Sequence, residues 1–192
     1  MRLFFLVILY FPVLSLLGLS SAGVPFWELE EFLHTARRIW IFASSGQPTY
    51  GGENVTCIYY RTRNLTNTSV SLLYQAVWNG TVHKKITVHA ELLSGPPPSM
   101  KMTDWNGTNV TKELNYWNEY YWCAIFRVRL TDQPGVEPGC ELHVQGPALA
   151  AFLRNGSAFT NCMSKYTDIC GSEKAPIILV TEKCPNINKT DE

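Results

Sequence analysis

The fold is constrained most by a series of strand-like segments, each rich in β-branched and aromatic residues and separated from the next by a turn. The segments are residues 38–43, 56–63, 70–78, 81–92, 112–130, 140–144 and 177–181. Helical patterns occur only towards the two ends, at residues 24–36, 148–154 and 161–169. Successive strands joined by short turns predict an antiparallel meander that closes into a barrel with a helix packed outside, and a two-sheet sandwich is the alternative. A barrel of about eight strands holds one small ligand.

The N-terminal residues have the pattern of a secretory signal peptide. Arg2 precedes an apolar run that ends at Leu19, and small residues follow it. Because a proline and a glycine interrupt the run, it is shorter than the roughly 20 apolar residues that cross a membrane. We therefore expect a signal peptide over residues 1–22 and a single secreted, extracellular domain over residues 23–192.

Composition excludes several classes of protein. Of the 192 residues, 46% are hydrophobic and 17% are charged, which rules out an intrinsically disordered chain. The formal net charge of zero excludes a strongly basic surface, so we expect no nucleic-acid partner and no membrane partner. We also expect a monomer. The 6 Trp, 9 Tyr and 9 Phe predict a large buried interior or an aromatic pocket.

All six cysteines lie in the predicted mature domain, at positions 57, 123, 140, 162, 170 and 184. An even number in a secreted chain predicts three disulfides, and six cysteines allow 15 pairings. Zinc is disfavoured because the sequence has no C-x-x-C motif and its four histidines have no ligand spacing. We expect no metal site.

Eight of the 12 asparagines begin an N-glycosylation sequon, which is more than coincidence gives in a Thr-rich chain. The sequons begin at Asn54, Asn64, Asn67, Asn79, Asn106, Asn109, Asn155 and Asn188. A glycosylated Asn must face solvent, and Asn79-Gly80 and Asn106-Gly107 are also typical of hairpin turns. The sequence therefore predicts a glycoprotein whose sugars lie at the rim of the fold.

Known catalytic motifs are missing from the sequence. It contains no G-x-S-x-G elbow, no H-E-x-x-H motif and no phosphate-binding glycine loop. Six paired cysteines also leave no reactive thiol. We therefore expect a binding protein that is not an enzyme and needs no cofactor.

Residues 123–130 alternate between an apolar face and a mixed face, as a strand does. The apolar face carries Ala124, Phe126, Val128 and Leu130, and the same parity upstream carries Tyr120 and Trp122. If this face points into a barrel, Tyr120, Trp122 and Phe126 line an aromatic pocket. The alternation is equally typical of a filled core, so the residues alone leave both alternatives open.

Several short motifs occur in a fixed order along the mature chain. They are residues 38–43, 47–51 and 55–57, then Cys123-Ala124-Ile125, Glu141-Leu142-His143 and Cys162. In this order and with these gaps they resemble the tick salivary lipocalins of the histamine-binding group. The resemblance implies a mainly β fold, an eight-stranded antiparallel lipocalin-like barrel with an N-terminal helix and a C-terminal helix packed outside.

The resemblance also implies a disulfide pairing. Two of the family's bridges correspond to Cys57–Cys184 and Cys123–Cys162, and a third then joins Cys140 to Cys170. Each bridge links a strand to the C-terminal segment. Closing such long loops stabilises a fold mainly by restricting the unfolded chain, by about 3–5 kcal/mol each.

The function that the resemblance implies is sequestration of a small host mediator in saliva, which suppresses host defence. The mediator is a biogenic amine such as histamine or serotonin, or a leukotriene-like lipid. Glu141 keeps one of the acids that hold an ammonium, whereas Ala124 and His143 replace an acid and an aromatic residue of the family pattern. We expect the ligand-binding residues to be Glu141, His143, Tyr50, Tyr120, Trp122 and Phe126.

Three alternatives stay open. A lipid carboxylate would want a cation, and Arg38 and Arg61 near a rim are the candidates. Glu141 and His143 are also typical of an internal polar pair that only fills space. The glycosylated barrel surface, in place of the pocket, is an alternative binding site for a host immune protein such as a complement component.

Overall fold

The computed structural model describes residues 23–78, 81–82, 85–155, 160–173 and 175–184. The predicted signal peptide, the Asn79-Gly80 turn and the sequon at Asn188 lie outside these residues, as does the side chain of Asn155. The division of the chain into residues 1–22 and 23–192 therefore stays a prediction.

In the described ranges the chain forms three helices and eleven strands. In chain order they are α1 (Phe26–Leu33), β1 (Ile39–Ser44), β2 (Thr49–Tyr50), β3 (Glu53–Arg63), β4 (Ser69–Trp78), β5 (Thr81–Val82), β6 (Ile86–Leu93), β7 (Ser99–Thr103), β8 (Asn109–Asn118), β9 (Cys123–Leu130), β10 (Gly139–Gln145), α2 (Gly146–Asn155), α3 (Thr160–Cys170) and β11 (Ile177–Ile178). Each segment rich in β-branched and aromatic residues contains a strand, whereas β2 and the barrel strand β7, whose sequence SMKMT is poor in such residues, were not predicted.

Eight of the strands close into a barrel. Around the ring they lie in the order β1, β10, β9, β8, β7, β6, β4 and β3, each antiparallel to its neighbours. Strand β3 then pairs with β1, where Ile39 lies opposite Tyr60, and this pairing completes the ring. The predicted mainly β, eight-stranded antiparallel barrel is confirmed, and the sandwich alternative is wrong. The two-residue strands β2, β5 and β11 extend the sheet at its margins.

Two segments that each look like one strand in the sequence contain two strands each. Residues 81–92 contain β5 and β6, with residues 83–84 outside the described ranges, and residues 112–130 form β8, a turn and β9 as the second such segment. In that turn the Asn118 side-chain oxygen accepts a hydrogen bond from the Tyr121 backbone N–H at 2.9 Å, which is a typical role of Asn in turns. Trp122 there has a φ of 49°, in the left-handed region. The aromatic residues of this turn favour β structure, and the turn chemistry overrides that preference.

Helix α1 lies over one end of the strand ring. Leu29, Phe32 and Leu33 on its apolar face are fully buried and belong to the same cluster as the inward-facing side chains of the strands. The Gln145 side chain donates a hydrogen bond to the Phe32 carbonyl at 3.3 Å, which ties the helix to the end of β10. We call this end of the barrel the closed end.

Helices α2 and α3 pack against the outer wall of the barrel. Outward-facing side chains of β1, β9 and β10 form one buried cluster with residues of both helices, including Leu149 and Tyr166. The alternation predicted for residues 123–130 is confirmed, because Ala124 and Phe126 lie in the inner cluster whereas Cys123 and Ile125 lie in the outer one. None of the helices in the described part of the chain is long and apolar enough to cross a membrane.

Three disulfides join the barrel to the C-terminal segment. They are Cys57–Cys184, Cys123–Cys162 and Cys140–Cys170, the same pairs that the resemblance implies. The second and third attach α3 to β9 and β10. Disulfides of this kind are typical of proteins that fold in an oxidising compartment.

The described sequon asparagines lie at positions that solvent reaches. Among the sequon asparagines whose side chains are described, Asn54, Asn64, Asn67 and Asn109 are exposed, and Asn106 is half-buried. Asn106 and Gly107 form the tip of the β7–β8 turn, as the hairpin motif predicts, with Gly107 at a φ of 87°. Occupancy of these sequons stays a prediction.

Candidate functional site

A cavity of about 320 Å³ opens at the end of the barrel opposite α1, and we call it the mouth cavity. Its walls are aliphatic side chains of the inward faces of β1, β3, β8 and β9, namely Ile41, Ile58, Val110, Val128 and Leu130. Residues 44–48 and 136–137 contribute to its rim. Two largely buried carboxylates, Asp104 and Glu141, also line it, and Glu137 adds an exposed carboxylate at the rim.

Behind these carboxylates lies a fully buried lysine. Lys112 occupies the inward face of β8, and its Nζ lies 2.9 Å from Asp104 Oδ2 and 2.9 Å from Glu141 Oε2. Lys112 has no exposed surface and is not among the residues that line the mouth cavity. A buried ammonium is tolerated only when opposite charges and hydrogen bonds replace its water shell, and here two carboxylates do so.

His143 extends this group of charges towards the centre of the barrel. Its Nε2 lies 2.7 Å from Glu141 Oε2, and its Nδ1 lies 2.8 Å from the Tyr60 hydroxyl. Because an ionised carboxylate only accepts hydrogen bonds, Nε2 carries a proton and donates to Glu141. A neutral ring then accepts the Tyr60 O–H at Nδ1. We call Asp104, Lys112, Glu141 and His143 the charge cluster.

The pKa shifts of Glu141, Lys112 and His143 give the charges of these three groups at neutral pH. Burial acts to raise the pKa of Glu141, but the Lys112 charge and the His143 hydrogen bond outweigh it and lower the pKa to about 2. Burial also opposes the charge on Lys112, yet Asp104 and Glu141 hold its pKa above the usual value. Burial lowers the pKa of His143, so the ring is neutral at pH 7. Two carboxylates and one ammonium give the charge cluster a net charge of −1.

Aromatic rings fill the barrel between the charge cluster and α1. Phe126 lies 4.7 Å from the His143 ring and 5.5 Å from the Phe32 ring, measured between centroids. On the other side Tyr60 and Tyr74 lie 4.9 Å apart. All of these rings are buried. Burial, with the nearby Asp104 charge, raises the pKa of Tyr74, whose hydroxyl makes no hydrogen bond of normal geometry.

Trp105 lines the mouth cavity, and Tyr50 packs against it from outside the lining. Trp105 follows Asp104 in the β7–β8 turn, where the Asp104 carboxylate accepts the Trp105 backbone N–H at 2.8 Å. The Trp105 ring is buried and lines the mouth cavity. Tyr50 stacks on it, with centroids 6.2 Å apart and planes inclined by 23°. The same short turn therefore positions an acid and an aromatic ring side by side.

The structure places the six predicted ligand-binding residues in three different surroundings. Glu141, His143 and Phe126 lie together in the interior, and Tyr50 stacks on Trp105 but does not line the mouth cavity. Tyr120 and Trp122 are outside the barrel, which corrects their predicted place in the lining. Tyr120 is 82% exposed, and Trp122 packs on the outer cluster with the Arg37 guanidinium 4.7 Å from its ring centroid. The cause is the β8–β9 turn, which interrupts the strand parity on which the prediction depended.

Sequence reasoning missed Asp104, Lys112, Tyr60 and Tyr74. One signal for Lys112 is present, because Val110, Lys112 and Leu114 alternate with more polar residues and therefore share the inward face of β8. A lysine at such a position indicates a buried acid elsewhere in the fold. Within the described ranges, no set of three or more His, Cys, Asp or Glu side chains is arranged to hold a metal ion.

Two solved structures are similar to this chain. One is the crystal structure of an AM182 serotonin complex, with a TM-score of 0.56 and 17% sequence identity, covering 78% of this chain and 86% of that one. The other is the siderocalin Ex-FABP, with a TM-score of 0.45 and 15% identity, covering 77% and 94%. No family profile and no curated protein matches the sequence. At its level of identity the first structure shows the fold alone, a lipocalin-type barrel.

Proposed function

We propose that this protein is a secreted scavenger that binds one small aromatic monoamine, of the serotonin or histamine class, in the mouth cavity. The observation that carries the proposal is the net charge of −1 on the charge cluster, presented to the cavity by Asp104 and Glu141. The ligand's ammonium supplies the missing positive charge through an ion pair and hydrogen bonds. Hydrogen bonds from Lys112 and His143 both go to Glu141 Oε2, which leaves Oε1 for the ligand.

The rest of the cavity suits the ring of such a ligand. Aliphatic walls on four strands provide apolar contact, and the Trp105 ring, against which Tyr50 stacks from outside the lining, offers a flat surface near the acids. A cation held beside aromatic faces gains about 0.5–2 kcal/mol. The cavity volume of about 320 Å³ is at the small end of ligand pockets, as a compact amine requires.

A leukotriene-like lipid fits this geometry less well. Among the described residues that line the mouth cavity none is Lys or Arg, so a carboxylate would face three acids, Asp104, Glu137 and Glu141, without a cation in the lining. The candidates for that role lie elsewhere, since the Arg38 guanidinium stands 5.3 Å from the Tyr59 ring in the outer cluster. The aromatic rings below the charge cluster also occupy the space that a long acyl chain would need.

The biological setting is part of the same proposal. The predicted signal peptide and sequons and the three disulfides support export to an extracellular fluid such as saliva, where removal of a host mediator blunts host defence. The similarity in fold to a protein solved with serotonin supports a small-molecule ligand. Such a protein acts by mass action as a binding protein, and its capacity depends on concentration and affinity without catalytic turnover.

The test is calorimetric titration of the secreted protein with serotonin, histamine and a leukotriene. We expect one amine to bind with one-to-one stoichiometry. Glu141→Gln should weaken it by about 10–150-fold, the cost of losing a hydrogen bond to a charged group. Glu113→Gln is the matched control, because Glu113 pairs with Arg129 on the outer wall. Silence with every amine, or equal binding by both variants, would contradict the proposal and favour the protein-binding alternative.

A further inference from the structure

We infer that Lys112 sets the charge specificity of the mouth cavity, so that the cavity accepts a monocation and discriminates against a dication. This inference rests on the proposed amine-binding function and adds the class of amine. Asp104 and Glu141 alone would offer two negative charges. Lys112 neutralises one of them from inside the barrel, and the buried charge cluster is left one positive charge short, while solvent screens the exposed Glu137 carboxylate at the rim.

The geometry makes Lys112 a permanent occupant of the acid pair. Its Nζ is equidistant from the two carboxylates, at 2.9 Å from each, and the side chain is completely buried. Carboxylates that contact one nitrogen lie close together, and like charges at that range require a cation between or beside them. The Lys112 ammonium, held on β8, therefore already supplies the positive charge that a second ammonium of the ligand would otherwise supply.

The position of Lys112 also separates this role from direct ligand contact. The carboxylates line the mouth cavity and Lys112 does not, so its ammonium acts on the ligand through its charge and not by direct contact. The Tyr74 ring centroid lies 6.0 Å from Nζ and adds a cation–π contact to the buried ammonium. Lys112 is thus a specificity-determining residue that sets the charge of the site. We expect its removal to change which amine the cavity prefers more than it changes folding.

Two ligands that differ by a single ammonium make the test sharp. They are 2-phenylethylamine and 4-(2-aminoethyl)benzylamine, which share a ring and a side chain. The wild-type protein should prefer the monoamine. In Lys112→Met the cluster charge becomes −2, and we expect the preference to move towards the diamine by at least tenfold. Arg129→Met removes one positive charge from the outer wall and should leave the preference within about twofold of wild type.

A compensation cycle keeps the inference testable if Lys112→Met does not fold. Asp104→Asn brings the cluster to zero charge and should weaken monoamine binding by at least tenfold. Adding Lys112→Met to Asp104→Asn restores the charge of −1 and should recover most of that affinity. Failure of the double variant to recover it, or an unchanged preference in folded Lys112→Met, would overturn the inference. Absence of monoamine binding by the wild type would instead overturn the proposed function, so the two failures are distinguishable.

Discussion

The two halves of the barrel interior are built from the same strands and differ in how they are filled. At the closed end large rings, including Phe32, Phe126 and Tyr60, pack against one another under α1 and are fully buried. At the mouth the corresponding positions carry smaller aliphatic side chains such as Val110 and Val128, and a cavity of about 320 Å³ remains. The charge cluster lies between the halves.

This difference separates stability from binding. Packed rings contribute the dispersion and burial that hold a barrel together. An underfilled mouth contributes less to folding and gives a ligand a place to enter. The sequence left a pocket and a filled core as alternatives for the apolar face of residues 123–130, and the structure contains both, one at each end of β9.

The strongest test of the difference is removal of a ring from the closed end. Phe32→Ala should lower the free energy of unfolding by about 3–5 kcal/mol, because the site cannot collapse around the missing ring. Urea denaturation followed by fluorescence measures it. Trp27→Ala is the matched control on the same helix, since Trp27 is 59% exposed, and should cost under about 0.5 kcal/mol. Equal losses for the two variants would show that α1 does not cap a packed interior.

Acid titration of protein stability tests the charge cluster, which lies between the two halves of the barrel interior. The pKa of Glu141 falls from its ordinary value of 4.5 to about 2 on folding, so its contribution is present above pH 4.5 and is lost as the pH falls towards 2. The loss should be on the order of 3 kcal/mol. Glu141→Gln should flatten this part of the curve of unfolding free energy against pH.

His143 adds a smaller step at higher pH. Its pKa is lowered by burial from 6.5, so the unfolded chain binds a proton more readily, and stability should begin to fall below pH 6.5. His143→Gln should remove that step while the step of Glu141 remains. A stability curve that is level from pH 7 to pH 3 in the wild type would contradict the electrostatics described for the cluster.

Filling the mouth should separate binding from stability. Val128→Phe places a ring in the mouth cavity, and we expect amine affinity to fall by more than tenfold. The free energy of unfolding should change by less than about 1 kcal/mol, because the site has room for the ring. The same kind of enlargement at the closed end, Leu114→Phe, should cost about 1–3 kcal/mol through overpacking. Similar stability losses in both variants would mean that the mouth is as tightly packed as the closed end.

The smallest effect is expected at the outermost ring. Tyr50 is partly exposed and stacks on Trp105 from outside the cavity lining, so Tyr50→Ala should weaken amine binding by about twofold to fivefold, because the Trp105 ring loses its stacking partner. Fluorescence titration is sensitive enough to measure this change. Tyr120→Ala, on the outer turn, should leave the affinity unchanged, and a larger effect there would return the β8–β9 turn to consideration as a binding surface.

The fold was predictable because strand periodicity and turn residues are local signals. The alternation of residues 123–130 correctly assigned the inward face of β9, and Glu141 and His143 lie in the interior as expected. The prediction that alternate residues face inward was wrong at Tyr120 and Trp122, where a turn interrupts the strands. The Asn118 side chain stabilises that turn by a hydrogen bond, whereas the aromatic residues around it predict a strand.

The charge cluster was only half predictable for a different reason. A buried lysine is stable only when its partners come from other strands, and Asp104 and Glu141 lie 8 residues before and 29 residues after Lys112 in the chain. No local pattern reports such a pairing. The alternation of β8 places Lys112 among inward-facing residues and so indicates a buried lysine. The residue type by itself favours an exposed lysine, because lysines are almost always exposed.

The most direct test of the account is nuclear magnetic resonance of the secreted protein with labelled Ile, Leu and Val methyl groups during titration with serotonin. The two sets to compare are Ile41, Ile58, Val110, Val128 and Leu130 at the mouth, and Leu29, Leu33, Leu72 and Leu114 in the filled interior. We expect saturable shifts in the mouth methyls, with the second set nearly unchanged. Saturable shifts confined to the second set, or none in either set, would contradict the division of the barrel into a binding half and a packed half.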